Sequence, residues 1–122
     1  MTPLVFVATV IAGSLGAVIR LLVLDGLRDH ANRFAAVLVV NVLGSALAGG
    51  IVALSQSTLT AVVVGGLAGG LTTFSTVAVL LVPKPQGPSV RLLLGHAVVQ
   101  GGAAVAAAWS AFQIVSLVAY QP

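Results

Sequence analysis

Four long apolar segments, separated by short polar stretches, take up most of the 122-residue sequence. The apolar segments cover residues 3–24, 34–54, 59–82 and 92–119. Each reaches the ~20 residues that an α-helix needs to cross a bilayer. The polar stretches 25–33, 55–58 and 83–91 are short enough to be loops, and the last contains three prolines that exclude a helix. The pattern predicts an all-α membrane protein in which residues 1–122 form a single domain with four transmembrane helices.

The third segment carries an interruption near its middle, which a simple membrane anchor would not have. Glycines at positions 65, 66, 69 and 70 lower its helical stability, and hydroxyl side chains follow at Thr72, Thr73, Ser75 and Thr76. Irregular backbone at membrane depth persists only where protein covers it or where it lines a cavity. The glycines form two GxxxG pairs, which are typical of close helix packing, whereas a broken helix with exposed carbonyls is typical of an ion site. The hydroxyl run favours packing combined with an ion site.

Composition narrows the class of protein. Apolar residues make up 59% of the chain and charged residues 6%, so the polar surface is too small to cover a soluble globule. Cysteine is absent, which excludes disulfides and thiolate metal sites. The five cations are not clustered, so we expect no nucleic-acid partner and interpret the positive charge as information on membrane topology.

The positions of these cations predict how the chain is inserted. Four spans put both termini and residues 55–58 on one side of the membrane, and the first and third loops on the other. On the side of those two loops lie all five cations, Arg20, Arg28, Arg33, Lys84 and Arg91. Under the positive-inside rule the first and third loops are cytoplasmic. A chain that inserts in both orientations should have nearly balanced loops, so this subunit is predicted to insert one way only.

No catalytic constellation can be assembled from the sequence, so we do not expect an enzyme. Glutamate is absent, and both aspartates, Asp25 and Asp29, lie in the first loop. A proton-coupled exporter generally needs an acid within the membrane, and its absence disfavours that mechanism. A passive pathway or a structural subunit fits the sequence better.

Amide and imidazole side chains within the apolar segments need partners or a polar path. Asn41 lies in the middle of the second segment, where its amide can either donate hydrogen bonds to an anion or join two helices; its position leaves these alternatives equal. His96 and Gln100 are four residues apart in the fourth segment, so they share a helical face that we expect to point into the bundle. They are too few for a metal site.

Three stretches in the first three segments stand out together: GSLGAVIR at 13–20, NVLGSALAGG at 41–50 and GGLAGGLTTFSTV at 65–77. In their order and spacing they resemble the CrcB or Fluc family of fluoride channels. The resemblance implies an antiparallel dimer of two four-helix subunits in the cell membrane of a prokaryote, which lets fluoride leave the cytoplasm passively and so lowers its toxicity. It further implies a structural sodium ion at the dimer centre, bound by the backbone carbonyls of Gly69 and Thr72. Four residues match the ion pathway of the family: Asn41, Phe74, Ser75 and Thr76.

Several positions depart from the pattern of that family. Val77 stands where a second pore phenylalanine is usual, and the other departures are Leu21, Val37, Leu80, His96 and Gln100. Together with the one-sided charge, these changes favour one half of a heterodimer with a second CrcB-like subunit over a homodimer. Two alternatives stay open. One is a non-conducting structural partner within such a heterodimer, and the other, less favoured, is a small multidrug or cation exporter.

Overall fold

The computed structural model describes residues 2–54, 57–83 and 87–120, which form five α-helices and contain no strand. The helices are α1 (Pro3–Gly26), α2 (Arg33–Leu54), α3 (Thr58–Leu71), α4 (Phe74–Leu80) and α5 (Val90–Ala119). Because α3 and α4 together occupy the third apolar segment, the predicted all-α fold with a broken third helix is confirmed. Lys84 of the charge count and residues 55 and 56 of the second loop lie outside the described residues.

Polar side chains set the points at which four of the helices begin. In each case a side-chain oxygen before or at the start of the helix accepts a hydrogen bond from a backbone N–H of the first turn, which has no partner within the helix. The capping residues are Thr2, Asn32, Ser57 and Ser89. The shortest of these bonds runs from Ala35 N–H to Asn32 Oδ1 at 2.8 Å. The polar residues just before each apolar segment therefore fix the starts of the helices.

Three helices, α1, α2 and α5, are long and apolar enough to cross a membrane. The remaining span is shared by α3, with 14 residues, and α4, with 7. Their combined rise is about 30 Å, which matches the hydrocarbon core of a bilayer. Large apolar side chains lie on the outer faces, among them Phe6, Val98 and Leu117, each at least 60% exposed. These features are those of a multi-pass membrane protein.

The helices pack as two pairs, α1 with α3 and α2 with α5, and α2 also contacts α3 to join the pairs. Close backbone approach holds each pair. A side chain at Gly70 of α3 would overlap the backbone carbonyl of Gly13 in α1, and one at Gly49 of α2 would overlap the backbone of Ala108 in α5. Because only glycine allows helices to approach so closely, Gly70 fixes α3 beside α1, and Gly49 fixes α2 beside α5.

The two GxxxG pairs of α3 face in different directions. A Cβ atom at Gly66 would lie 2.7 Å from the carbonyl oxygen of Thr9, and Gly70 of the same pair meets Gly13, so this pair packs on α1. A Cβ atom at Gly65 or Gly69 would meet no other helix within 4 Å among the described residues. Gly66 and Gly70 therefore serve packing within the chain, whereas Gly65 and Gly69 form an open face of α3.

Replacing Gly49 with alanine is expected to destabilise the fold, because the added methyl group would overlap the backbone of Ala108 and force α2 and α5 apart. Overpacking of this kind costs ~1–3 kcal/mol, and backbone overlap places the cost at the upper end of that range. Thermal unfolding in detergent measures the effect. Gly50→Ala is the matched control, since its Cβ atom would lie 3.5 Å from Val115 in ordinary contact. Equal melting temperatures for the two variants would contradict the assigned packing.

Candidate functional site

The helix break consists of Thr72 and Thr73, which lie between the end of α3 and the start of α4. Both have extended backbone, with φ and ψ of −75° and 154° at Thr72 and −145° and 115° at Thr73. Thr73 caps α4, because its Oγ1 accepts a hydrogen bond from the backbone N–H of Thr76 at 3.3 Å. The break thus places backbone amide and carbonyl groups without helical partners in the membrane-spanning part, where each unsatisfied group is costly.

Asn41 of α2 satisfies both backbone groups of Thr73. The Thr73 N–H donates to Asn41 Oδ1 at 2.8 Å, and Asn41 Nδ2 donates to the Thr73 carbonyl at 3.3 Å. The asparagine is buried, with 8% of its surface exposed. The sequence left open whether Asn41 donates to an anion or joins two helices, and these two contacts join α2 to the third span. A side chain on α2 therefore holds the two extended residues of the third span.

Gln100 of α5 extends this network. Its Oε1 accepts a hydrogen bond from Asn41 Nδ2 at 3.3 Å, and its Nε2 donates to the backbone carbonyl of Phe34 at 3.2 Å. On the same side of α5 the His96 ring stacks on the Phe34 ring, with centroids 4.0 Å apart. The shared face of α5 therefore contacts α2, and Gln100 connects the start of α2 to the helix break.

Arg20 of α1 also contacts the break. Its Nη1 donates to the Thr72 carbonyl at 3.1 Å. That carbonyl belongs to the C-terminal end of α3, where the helix dipole concentrates partial negative charge and favours a cation. The half-buried guanidinium group therefore stabilises the break and places a fixed positive charge beside it.

Arg20→Gln is expected to lower the free energy of unfolding by about 1.5–3 kcal/mol, the usual contribution of a hydrogen bond to a charged group. The bond lost is the one from Nη1 to the Thr72 carbonyl. Denaturant titration in detergent measures the change. Arg28→Gln removes the same charge from an exposed loop position and should leave the stability unchanged. If both variants lose the same stability, the contribution of Arg20 lies in net charge and not in this contact.

The predicted pathway residues lie around the break, but Asn41 and Phe74 line one cavity, Thr76 lines another, and Ser75 is not in the lining of either. One cavity of about 320 Å³, here called the α5-side cavity, is lined by Asn41, Phe74, Val77 and Gln100 among others. The other, of about 380 Å³, is the loop-side cavity, and its lining includes Arg28, Arg33 and Thr76. Within the part of the chain that the structure describes, Asn41 and Phe74 therefore line a different cavity from Thr76.

The side chains of Phe74, Ser75 and Thr76 differ in their surroundings. The Phe74 ring is 84% exposed and extends from the first residue of α4. The hydroxyls of Ser75 and Thr76 lie 3.3 and 3.0 Å from Thr73 Oγ1. Thr73 thus joins the two predicted hydroxyl groups to the break, although it was not among the predicted site residues. Its position three residues before Thr76, typical of a helix cap, is the signal that could have identified it.

The backbone carbonyls of Gly69 and Thr72 supply oxygen ligands of the kind that a hard cation such as sodium would need. In a continuous helix the Thr73 N–H would donate to the Gly69 carbonyl, but here it donates to Asn41. Gly69 O instead accepts a hydrogen bond from Thr72 Oγ1 at 3.4 Å. Hard cations prefer oxygen ligands of this kind. A carbonyl oxygen has two acceptor positions, so the Thr72 carbonyl can bind a cation while it accepts a hydrogen bond from Arg20. Two carbonyls from one chain do not complete the coordination shell of a cation.

Comparison with known proteins identifies one family. The family model described as CrcB-like protein, Camphor Resistance (CrcB), matches residues 7–112. No curated protein and no solved structure gave a significant match. The matched range contains α2, α3, α4 and the whole helix break, so it includes every residue of the candidate site.

Proposed function

Because the chain belongs to the CrcB-like family, we propose that it is a subunit of a fluoride channel, which lets fluoride leave the cytoplasm passively. The observation that carries this proposal is the break in the third span, since it brings hydroxyl groups and an aromatic ring to cavities among the apolar helices. Such a protein is a channel and not an enzyme. Broken membrane helices are a recurrent way to form ion sites.

Fluoride is small and strongly hydrated, so its pathway has to supply hydrogen-bond donors that replace water. The hydroxyls of Ser75 and Thr76 lie within hydrogen-bond distance of Thr73 Oγ1 but can rotate to donate to an anion, and the edge of the Phe74 ring carries partial positive charge. Arg28 and Arg33 line the loop-side cavity and raise the local concentration of anions there. Fluoride then passes from this cavity to Thr76 and on to the ring edge of Phe74.

The pathway is completed by a second subunit in an antiparallel dimer. The exposed Phe74 ring and the open face of α3 at Gly65 and Gly69 support this, because a partner would cover both. The one-sided cations favour a heterodimer with a CrcB-like subunit of opposite charge bias over a homodimer. Within the cell membrane of a prokaryote, the first and third loops of this subunit then lie in the cytoplasm.

A structural sodium ion would be held by the carbonyls of Gly69 and Thr72 together with the same pair from the partner. Bound there, it supplies fixed positive charge near the anion path. We expect the melting temperature of the dimer to be higher in sodium chloride than in potassium chloride at equal ionic strength, because a ligand of the assembled state stabilises it. Equal melting temperatures in the two salts would contradict the sodium site.

Fluoride efflux from liposomes tests the proposed function. The chain is reconstituted alone and with a CrcB-like subunit of opposite charge bias, with chloride as the control ion. We expect efflux of fluoride but not of chloride, and only when the partner is present. We call the preparation that conducts fluoride the conducting assembly. Efflux from the chain alone would establish a homodimer instead. Proton-coupled uptake of an organic cation would replace the proposal with an exporter.

A second candidate function is a non-conducting partner that supplies only the dimer interface. Two observations favour it. Both amide hydrogens of Asn41 already have acceptors within the chain, and the cavity next to Asn41 is lined by the apolar side chain of Val77. A scaffold of this kind would tolerate changes at Phe74 that a channel subunit would not.

A further inference from the structure

The side chain of Asn41 lines the α5-side cavity but has no free hydrogen to offer to an anion there. One amide hydrogen is donated to the Thr73 carbonyl and the other to Gln100 Oε1, both with nitrogen to oxygen distances of 3.3 Å. An amide NH₂ group carries two donors, so both are in use. Although Asn41 lies at the wall of the cavity, its two amide hydrogens are therefore directed to other groups of the protein and not into the cavity.

The orientation of both amides is fixed by backbone groups at the two ends of the network. The Thr73 N–H requires an oxygen of Asn41, and the Phe34 carbonyl requires the NH₂ group of Gln100. Gln100 Oε1 must therefore face Asn41 Nδ2. Exchanging oxygen and nitrogen in either side chain would bring two acceptors or two donors together, so the network has one consistent direction.

We propose that Gln100 is a positioning residue that keeps Asn41 from donating to anions in the α5-side cavity by occupying its second amide hydrogen. Gln100 is 4% exposed and bonded to the carbonyl of Phe34, so its oxygen cannot turn away without leaving a buried amide without partners. The identity of the anion as fluoride rests on the proposed function. The occupancy of the Asn41 hydrogens does not depend on it.

Two substitutions release Asn41 in different ways. Gln100→Ser removes the acceptor and shortens the side chain, which frees one Asn41 hydrogen and enlarges the cavity. Gln100→Met keeps the length and apolar packing of the side chain but has only a weak acceptor. In both variants Asn41 keeps its two bonds to the Thr73 backbone, so the helix break is retained.

Asparagine labelling with ¹⁵N isolates the relevant signals, because the chain contains only Asn32 and Asn41. In the wild-type chain we expect the Asn41 side-chain amide to be insensitive to fluoride. In both Gln100 variants one Asn41 proton should move upfield, since it loses its hydrogen bond, and should shift further on addition of fluoride. Asn32 caps α2 at an exposed position and serves as the internal control for folding. A fluoride response of Asn41 in the wild type, or none in a variant whose Asn32 signal is native, would overturn the proposal.

Fluoride efflux provides the second readout. In the conducting assembly Gln100→Ser should raise the rate ~5-fold, which corresponds to a barrier lower by about 1 kcal/mol. Leu81→Ala enlarges the same cavity without touching Asn41 and should give no increase. An equal increase in the Leu81 variant would attribute the effect to volume and overturn the proposal. If no wild-type assembly conducts fluoride, the proposed function fails, while the upfield shift of Asn41 still decides on the role of Gln100.

Discussion

Asn41→Asp is expected to destroy the helix break while changing the size of the side chain hardly at all. The substitution keeps the oxygen that accepts from the Thr73 N–H, but it replaces Nδ2 with a second oxygen. That oxygen would face the Thr73 carbonyl and Gln100 Oε1. Both are acceptors, and neither would have a donor opposite it. A buried carboxylate without a compensating partner costs ~3–5 kcal/mol, a large part of the stability of a small protein. We therefore expect a much reduced yield of folded protein and the loss of fluoride efflux.

The other asparagine of the chain provides a matched control for this substitution. Asn32 is exposed, and its Oδ1 caps α2 by accepting from Ala35 N–H at 2.8 Å. Aspartate caps helices as well as asparagine does, so Asn32→Asp should leave the stability unchanged and, unlike Asn41→Asp, should not abolish efflux. Denaturant titration in detergent and efflux from liposomes measure the two properties. If Asn41→Asp unfolds at the same denaturant concentration as the wild type, Asn41 does not hold the break.

The break itself could be predicted from the sequence because its signals are local. Glycines at positions 65, 66, 69 and 70 and the hydroxyl run after them lie within one apolar segment, and both act on the backbone of that segment. The helix starts are local for the same reason, since a cap such as Asn32 bonds to a residue three positions away. Apolar patterns and helix caps concern one helix at a time, so signals of this kind can locate a helix and its break without knowledge of its neighbours.

The partners across helices could not be predicted, because no pattern within a segment states which faces of two helices meet. Asn41 and Thr73 are 32 residues apart in the chain, and Asn41 and Gln100 are 59 apart. The sequence therefore left Asn41 equally suited to donate to an anion or to join helices. The bond from Arg20 to the Thr72 carbonyl was hidden for the same reason, although the position of this arginine within the first segment already set it apart from the loop cations.

The division of the pathway residues between two cavities also depends on tertiary structure. Phe74 and Thr76 are two residues apart on α4, so they point to different sides of this short helix. Phe74 lines the α5-side cavity and Thr76 the loop-side cavity. A continuous path past both residues therefore requires surfaces beyond those of the described residues, which agrees with the proposal that a second subunit completes it.

Phe74→Leu is expected to lower fluoride efflux of the conducting assembly by at least ~10-fold, equivalent to a barrier higher by about 1.4 kcal/mol. Leucine keeps an apolar side chain at the proposed dimer interface but removes the aromatic ring, whose positive edge we assign to the anion path. The ring is 84% exposed within the chain, so the fold of the monomer should not change. Efflux from liposomes and the elution volume of the assembly measure function and association separately.

Phe6→Leu is the matched control, because Phe6 is also largely exposed, at 60%, but lies on α1 away from the break. We expect this variant to conduct like the wild type. If Phe74→Leu elutes as an intact assembly and also conducts like the wild type, the ring does not belong to the anion path. The chain would then be the non-conducting partner, since the dimer would be formed without any contribution of Phe74 to conduction. A loss of efflux in the Phe74 variant alone, with the assembly intact, would instead assign a conducting role to this subunit.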